Sequence, residues 1–250
     1  MPHFNSDGVE LAYFDEGQGD PVLLIHGFAS SKDVNWVGPS WTRTLLEAGY
    51  RVIAFDHRGH GESGKVHEPA RFHTSEMAAD AVRLLDHVGV ERADVIGYSM
   101  GARVGAFMAL LYPARVRSLV LGGLGIHLVD GVGLPQTIAD AMEAPSLDDV
   151  TDPMGRMFRT FADNNRQDLK SLAACIRGSR QELSREEVAR IYQPVLVAVG
   201  TRDKVAGDAH ALAALLPDGE ALDIPNRDHN PAVGDKVFKQ GVLDFLLRRP

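Results

Sequence analysis

Residues 97–101 read Gly-Tyr-Ser-Met-Gly, between the apolar run of residues 93–96 and a helical pattern over residues 102–111. A glycine on either side of a serine allows a very sharp turn, because a Cβ at those positions would collide with neighbouring backbone. A strand, a sharp turn and a helix in this order are the setting in which a G-x-S-x-G motif presents a nucleophile. We therefore predict that Ser99 lies at the carboxyl end of a strand, above the free N–H groups of a helix N-terminus.

The rest of the chain alternates strand-like with helix-like segments, which is the pattern of an α/β protein. Short apolar or alternating runs predict strands at residues 9–14, 21–25, 51–55, 93–96, 116–121, 194–199 and 221–224. Helical periodicity extends over residues 40–48, 75–88, 102–111, 208–216 and 236–247. Residues 124–192 interrupt this alternation, because they show short helical patterns and no strand pattern: 135–143, 154–162, 166–177 and 184–191.

The composition excludes several classes of function. The 250 residues include 26 basic and 34 acidic side chains, a formal net charge of −8 at pH 7, which argues against a nucleic-acid surface. The first residues lack the basic and apolar segments of a signal peptide, and no apolar run has the length of a membrane span. The single cysteine, Cys175, lies in an apolar stretch and is expected to be a buried core residue. We predict a cytoplasmic protein with no membrane or nucleic-acid partner, either a monomer or a homodimer.

A serine hydroxyl becomes nucleophilic when a base lies within hydrogen-bond reach and a third group orients that base. His229 follows the last strand pattern and Asp203 follows residues 194–199, so both are expected where parallel strands end. The chain order Ser99, Asp203, His229 is that of serine hydrolases with a G-x-S-x-G motif. Asp228 is a second candidate for the carboxylate, although adjacent side chains on a short loop rarely face each other.

The negative oxygen of a tetrahedral intermediate requires fixed hydrogen-bond donors. We predict that the backbone N–H of Met100, directly after the nucleophile, is one of them. The backbone N–H of Phe28 is the other, because the preceding Gly27 lets this loop approach a substrate closely. His26, which precedes that glycine, is interpreted as a structural residue.

Residues 56–63 read DHRGHGES and predict a glycine-rich turn after a strand. His57 and His60 are interpreted as structural or exposed side chains, and Asp56 and Arg58 as residues that pair or brace neighbouring loops. The histidine spacings do not match a metal site, and the turn lacks the lysine of a phosphate-binding loop. The sequence therefore indicates no metal and no cofactor.

We also predict a substrate pocket beneath residues 124–192. Large apolar side chains of the kind that line such pockets are Trp36, Met154, Met157, Phe158 and Phe161. As a group they indicate a small, mostly apolar substrate.

Four motifs in this order resemble those of the α/β-hydrolase superfamily. They are residues 26–28 (HGF), residues 56–63, residues 97–101, and Asp203 followed by His229. Each motif is weak by itself, but the set is specific, and it extends over essentially the whole chain.

The resemblance implies an α/β-hydrolase fold with an eight-stranded, mostly parallel sheet and helices on both faces. It implies a core formed by residues 1–123 and 193–250, and a small helical cap formed by residues 124–192, which we call the cap segment. Ala102 stands where many relatives have a second glycine, and since alanine is the better helix former the nucleophile assignment is not affected.

The serine at the motif's centre favours attack on a carbonyl carbon, because relatives that act at saturated carbon carry a carboxylate there. We predict a carboxylesterase-like serine hydrolase that forms an acyl-enzyme with Ser99. Hydrolysis of a lactone or a carbon–carbon bond, cofactor-free peroxidase activity, acyl transfer, and a ligand receptor that retains the triad remain alternatives.

Overall fold

The computed structural model describes residues 1–131 and 133–249, and within them eight strands form one sheet. The strands are β1 His3–Ser6, β2 Val9–Glu16, β3 Pro21–Ile25, β4 Arg51–Phe55, β5 Ala93–Tyr98, β6 Val116–Gly122, β7 Val195–Gly200 and β8 Gly219–Ile224. The α-helices are α1 Trp41–Glu47, α2 Thr74–His87, α3 Met100–Leu111, α4 Thr137–Glu143, α5 Pro153–Asn164, α6 Leu169–Gly178, α7 Arg185–Val188, α8 Ala209–Ala213, α9 His229–Ala232 and α10 Lys236–Arg248. The predicted fold class is confirmed.

The order of strands across the sheet is β1-β2-β4-β3-β5-β6-β7-β8. β2 runs antiparallel to both of its neighbours, and every other pair is parallel. Parallel pairing brings the carboxyl ends of β3, β5, β7 and β8 to one edge of the sheet, where α/β proteins gather their functional loops. This edge carries the loops that were predicted to form the site.

The first strand was not among the predicted elements. β1 pairs with β2 through a two-residue turn, Asp7-Gly8, in which both residues have positive φ, 50° and 77°. That conformation is the one that tight hairpins prefer, and an Asp-Gly pair is its sequence signal. The strand could therefore have been found from the turn, although its own four residues are too short to show a pattern.

Two apolar clusters cover the two faces of the sheet. On one face, α3 packs against β5 and β6 and α2 packs against α3 and β1, with Leu84, Val95 and Leu119 fully buried. On the other face, α1 and α10 pack around Trp41 and Phe238, whose rings meet edge to face with centroids 5.0 Å apart. The strands between them are apolar on both sides, as expected for a parallel sheet covered by helices.

The cap segment leaves the sheet after β6 and returns to it at β7. Its described residues form helices α4 to α7, short helical turns and loops. Several of these helices begin at side-chain caps; Asp152, for example, accepts the N–H of Gly155 at 2.6 Å and Asp168 accepts that of Ser171 at 2.7 Å. The division into a core and an inserted cap domain stays a prediction.

Across residues 1–131 and 133–249, none of the helices combines the length and the apolar character that crossing a bilayer requires. In the same residues, no group of three or more His, Cys, Asp or Glu side chains is arranged to hold a metal ion.

Candidate active site

Ser99 occupies the sharp turn between β5 and α3. Its backbone has φ 55° and ψ −116°, which is a strained conformation for a residue with a Cβ. The flanking glycines make the turn possible, since a Cβ on Gly97 would lie 2.3 Å from the carbonyl oxygen of Gly101. A Cβ on Gly101 would lie 2.1 Å from the carbonyl oxygen of Ile25. The Ser99 N–H donates to the carbonyl of Gly122 at 2.7 Å, which ties the turn to β6.

His229 and Asp203 come from the loops that follow β8 and β7. These loops are joined by backbone hydrogen bonds, among them Arg202 N–H to the carbonyl of Arg227 at 3.0 Å. Gly200 permits this close approach, because a Cβ there would lie 2.2 Å from the same carbonyl oxygen. The two loops thereby hold the imidazole of His229 against the carboxylate of Asp203.

A continuous hydrogen-bonded chain joins these three side chains. Nδ1 of His229 lies 2.7 Å from Oδ2 of Asp203, and Nε2 of His229 lies 2.9 Å from Oγ of Ser99. Because an ionised carboxylate only accepts, Nδ1 carries the proton and Nε2 is free to accept the serine hydroxyl's proton. The Asp228 side chain is exposed and makes no such contact, so the structure pairs His229 with Asp203.

The carboxylate of Asp203 is itself fixed by the backbone. Its Oδ1 accepts the N–H groups of Val205 and Ala206 at 2.8 and 3.1 Å, and the side chain is fully buried. Tyr98, next to the serine, donates its hydroxyl to the carbonyl of His229. Burial raises the pKa of this phenol, with a smaller contribution from the charge of Asp203, so the hydroxyl remains a donor. Sequence reasoning did not identify this role of Tyr98.

The backbone N–H groups of Phe28 and Met100 lie on the loops beside Ser99. In the described part of the chain, neither N–H has a protein acceptor within hydrogen-bond distance. Phe28 borders two cavities that meet at Ser99, and Met100 borders one of them. Both groups are thus available to a ligand, as expected for donors to a developing oxyanion.

Two buried side chains hold the loop that carries Phe28. The amide oxygen of Asn35 accepts the N–H of Gly27 at 3.0 Å. Nε2 of His26 accepts the N–H of His57 at 3.0 Å, so its Nδ1 carries the proton and donates to the carbonyl of Gly27 at 2.7 Å. Burial lowers the pKa of His26, which keeps the ring in this neutral form. His26 is structural as interpreted, whereas Asn35 was missed, because its loop shows no periodic pattern.

A buried ion pair links the same loop to the turn of residues 56–63. The Lys32 ammonium lies 2.9 Å from Oδ2 of Asp56, and both side chains are fully buried. Asp56 also accepts the backbone N–H groups of Lys32 and Glu62, at 2.7 and 2.9 Å. Burial works against both charges, but the Asp56 carboxylate holds the pKa of Lys32 above its usual value. No pattern in the sequence indicates that Lys32 is buried.

A second buried ion pair lies beside the first. Arg58 donates to both carboxylate oxygens of Asp80, at 2.8 and 2.7 Å, and to the carbonyl of Arg71 at 2.8 Å. Asp56 and Arg58 thus brace loops, each with a different partner. Together with three adjacent buried histidines these four charged residues form what we call the frame network: Lys32, Asp56, Arg58, Asp80, His26, His57 and His60.

The larger of the two cavities has a volume of about 280 Å³ and the smaller about 210 Å³. Ser99 and Phe28 border both. Among the predicted pocket residues, Met154 lines the larger cavity, and the smaller is lined by Met157, Phe158 and Phe161.

Trp36 does not line either cavity, which differs from the prediction. Its side chain is fully buried on the opposite face of the sheet, edge to face with Trp41 at a centroid distance of 6.0 Å. The neighbouring Asn35 turns toward the smaller cavity instead. In a short irregular turn such as Asp33–Val37, the sequence does not indicate which of two adjacent residues faces the site.

Cys175 lies beneath the site as a buried residue, as expected. Its Sγ is 3.7 Å from Sδ of Met100, and burial raises the pKa of the thiol to about 12. The thiol therefore stays protonated and acts as packing.

Comparison with known proteins identifies the family. Residues 20–130 match the family model described as alpha/beta hydrolase fold. The chain is 32% identical to a dihydrolipoyllysine-residue acetyltransferase component of the acetoin cleaving system from Pseudomonas putida, over 95% of this chain and 67% of that protein. It is 30% identical to a protein of Variovorax paradoxus strain S110 provisionally named a carbamate hydrolase, over 92% of each chain. Several other curated relatives match over 46–48% of this chain and 32–43% of their own length.

Solved structures share the whole architecture. The enol-lactonase from Burkholderia xenovorans LB400 superposes with a TM-score of 0.81 at 22% identity, over 99% of this chain and 100% of that chain. At this identity the likeness concerns the fold. The family-model match and the relatives at 30% and 32% identity, covered over 92% and 67% of their length, establish that the chain belongs to the alpha/beta hydrolase family.

Proposed function

We propose that this protein hydrolyses a carboxylic ester through an acyl-serine intermediate. The observation that carries the proposal is the hydrogen-bonded chain from Ser99 through His229 to Asp203, with 2.9 and 2.7 Å between the joined atoms. Family membership supports a hydrolase in general, and the serine at the turn favours carbonyl chemistry over displacement at saturated carbon. A carboxylate nucleophile, which suits that displacement, is replaced here by a hydroxyl.

In the first half of the reaction, Oγ of Ser99 attacks the carbonyl carbon while its proton passes to Nε2 of His229. The carboxylate of Asp203 stabilises the imidazolium that forms. The backbone N–H groups of Phe28 and Met100 donate to the carbonyl oxygen as it becomes negative. One such donor contributes about 3 kcal/mol to lowering the barrier. When the tetrahedral intermediate collapses, His229 returns the proton to the leaving alcohol.

In the second half, water attacks the acyl group on Ser99. His229 accepts a proton from this water and then returns it to Oγ, so the enzyme leaves the cycle unchanged. These steps use groups of this chain alone.

The two cavities supply separate places for the two parts of an ester. His229 lines the smaller cavity, so a leaving alcohol in that cavity lies beside the group that protonates it. The aromatic side chains Phe158 and Phe161 make this side suitable for an apolar alcohol. The acyl part then extends into the larger cavity, past Met100.

The test is hydrolysis of 4-nitrophenyl acetate and butyrate by the wild-type protein and by Ser99→Ala. We expect multiple turnovers with the wild type and a loss of kcat of about 10⁶-fold in the variant. Ser146→Ala, which removes an exposed serine of the cap segment, is the matched control and should keep its activity. Mass spectrometry of the quenched reaction should place the acyl group on the peptide that contains Ser99.

Turnover that survives in Ser99→Ala would assign the chemistry to another residue. A folded wild-type protein that releases no nitrophenol from either ester would contradict the esterase proposal. A single stoichiometric burst that leaves a stable adduct would favour a receptor over an enzyme.

A further inference from the structure

The larger cavity carries more positive charge than an apolar acyl group requires. Three cationic side chains line it together with Ser99: Arg103, Arg180 and Lys204. The acidic residue at its border, Asp130, is exposed and already pairs with Arg185 at 2.8 Å. The charge that faces the cavity is therefore positive.

Across residues 1–131 and 133–249, no carboxylate oxygen lies within 4.0 Å of the charged nitrogens of these three residues. Arg103 is only 5% exposed, and its terminal nitrogens donate to four carbonyl groups, including those of His127 at 2.7 Å and Gly131 at 2.9 Å. Carbonyls satisfy its hydrogen bonds, so its charge is not neutralised by a carboxylate in direct contact among the described residues. Arg180 donates to the carbonyl of Leu134 and is likewise unneutralised.

Arg103 and Arg180 are close enough to disfavour each other's charge. Burial lowers the pKa of Arg103 to about 10; Glu182 works against this effect, and the charge of Arg180 adds to it. Arg103 nevertheless remains protonated at neutral pH. Like charges beside a low-dielectric cavity are costly in the free protein, and a bound anion removes that cost.

Position along α3 sets the distance between the backbone of Arg103 and that of the reacting serine. Arg103 follows Ser99 by four residues, so it lies about one helical turn, or about 5.4 Å, along the same face. Because Ser99 and the three cationic residues line the same cavity, we expect an acyl chain of a few carbons to reach from the carbonyl at Ser99 toward them. Leu124, Val104 and Ile176 line the cavity and can cover its methylene groups.

From this arrangement we infer that the acyl group of the substrate ends in a carboxylate, which lies among Arg103, Arg180 and Lys204. This inference rests on the proposed ester hydrolysis and specifies its substrate class as a half-ester, or a lactone, of a dicarboxylic acid. The apolar character predicted for the substrate then applies to its leaving alcohol, whereas the acyl group carries a charge.

The test compares two esters with acyl groups of five carbons, mono-4-nitrophenyl glutarate and 4-nitrophenyl pentanoate, at pH 7. We expect the wild type to show kcat/KM at least about ten-fold higher for the glutarate, mainly through a lower KM. The double variant Arg180→Met with Lys204→Met should reduce this ratio to about one. Arg103 is left intact, because it also anchors carbonyls of the cap segment.

The matched control is Arg92→Met with Lys170→Met. Both side chains are exposed, Arg92 directly precedes the start of β5, at the sheet edge opposite Ser99, and the net charge changes equally. This control should keep the wild-type preference. A wild-type ratio of one or less, or an unchanged ratio in the Arg180 and Lys204 double variant, overturns the inference while leaving ester hydrolysis in place.

If neither ester is hydrolysed, the proposed function fails and binding decides the inference separately. Calorimetry of Ser99→Ala with monomethyl glutarate and with methyl pentanoate serves this purpose. Binding of the anionic ester alone, lost when Arg180→Met and Lys204→Met are added, supports a carboxylate site. Equal binding of the two esters, or binding of neither, overturns it.

Discussion

The frame network and the cap segment both adjoin the site, but different interactions hold them. The ring of Phe28 touches both, with its centroid 5.9 Å from that of His60 and 5.8 Å from that of Phe158. On the frame side, the Lys32–Asp56 pair has no exposed side-chain surface. On the cap side, Arg177 joins α6 to Glu143 of α4 with side chains 35% and 49% exposed.

This difference separates two requirements of the site: a fixed position for the N–H donor of Phe28, and a cap whose side chains can vary with the substrate. The loop that carries Phe28 must hold its N–H at a fixed position, and a buried ion pair is very costly to break because it leaves an uncompensated charge. An exposed pair contributes little, since water and salt compete for both partners. Substitutions in the cap can therefore alter the substrate that fits while the donors beside Ser99 stay in place.

Apart from removal of the nucleophile Ser99, the largest effect should come from the carboxylate that contacts His229. Asp203→Asn is expected to lower kcat for 4-nitrophenyl butyrate by about 10⁴-fold, because the amide favours the wrong imidazole tautomer. The exposed neighbour gives the control, Asp228→Asn, which should change kcat less than about two-fold. A mild loss in Asp203→Asn together with a severe one in Asp228→Asn would transfer the role to Asp228.

Next in size is the loss of a frame charge. Asp56→Ala removes the buried partner of the Lys32 ammonium and leaves it only the exposed carboxylates of Asp33 and Glu62, at 3.3 and 3.2 Å. We expect the free energy of unfolding to fall by about 3–5 kcal/mol. Urea unfolding at pH 7 measures this change. A loss below about 1 kcal/mol would mean that the buried ion pair of the frame network contributes no more to stability than an exposed pair of the cap segment. That result would contradict the comparison.

The frame histidines should make stability depend on pH. Burial lowers the pKa of His60 to about 3, and the pKa values of His26 and His57 are also lowered by burial. Between about pH 6.5 and the folded value, the unfolded chain binds more protons, so stability falls as the pH falls through this range. One such histidine contributes a slope of about 1.4 kcal/mol per pH unit.

The measurement is urea unfolding of the wild type and His60→Asn at pH 7 and pH 5.5. The variant is expected to be less stable at pH 7 but to lose less stability between the two pH values. If the free energy of unfolding depends on pH equally in the two proteins, His60 is not a buried neutral group whose protonation in the unfolded chain lowers stability.

The smallest effect should come from the cap. Arg177→Ala removes the exposed pairing with Glu143, and we expect the free energy of unfolding to change by about 0–1 kcal/mol. The change should also shrink in 1 M NaCl, because salt screens exposed charges. A loss comparable to that of Asp56→Ala would show that the cap helices are as tightly coupled as the frame.

The sequence predicted the elements that place the site, because each depends on a local pattern. The bounds of β3 and β4 agree with the prediction at both ends, since apolar runs bounded by turn residues and a charged residue mark them clearly. Ser99, Asp203 and His229 were selected by their positions after strands, and parallel pairing brings such loops together. The structure joins their side chains, while their catalytic roles stay predictions.

What the sequence could not predict depends on contacts between distant residues. Lys32 and Asp56 are 24 residues apart, and a lysine in a loop is ordinarily exposed. Its burial follows only once the strand pairing places the two loops side by side. Trp36 and Asn35 illustrate the same limit, because an irregular turn has no period that assigns side chains to faces.

The backbone at Ser99 has a consequence for heat resistance. A side chain at φ 55° holds about 1–3 kcal/mol of strain that glycine would not have. Selecting variants of this protein for stability at high temperature alone should enrich glycine at position 99 and yield a more stable but inactive protein. Measuring the melting temperatures of Ser99→Gly and Ser99→Ala tests this trade-off between stability and activity. Only the glycine variant should melt at a higher temperature than the wild type.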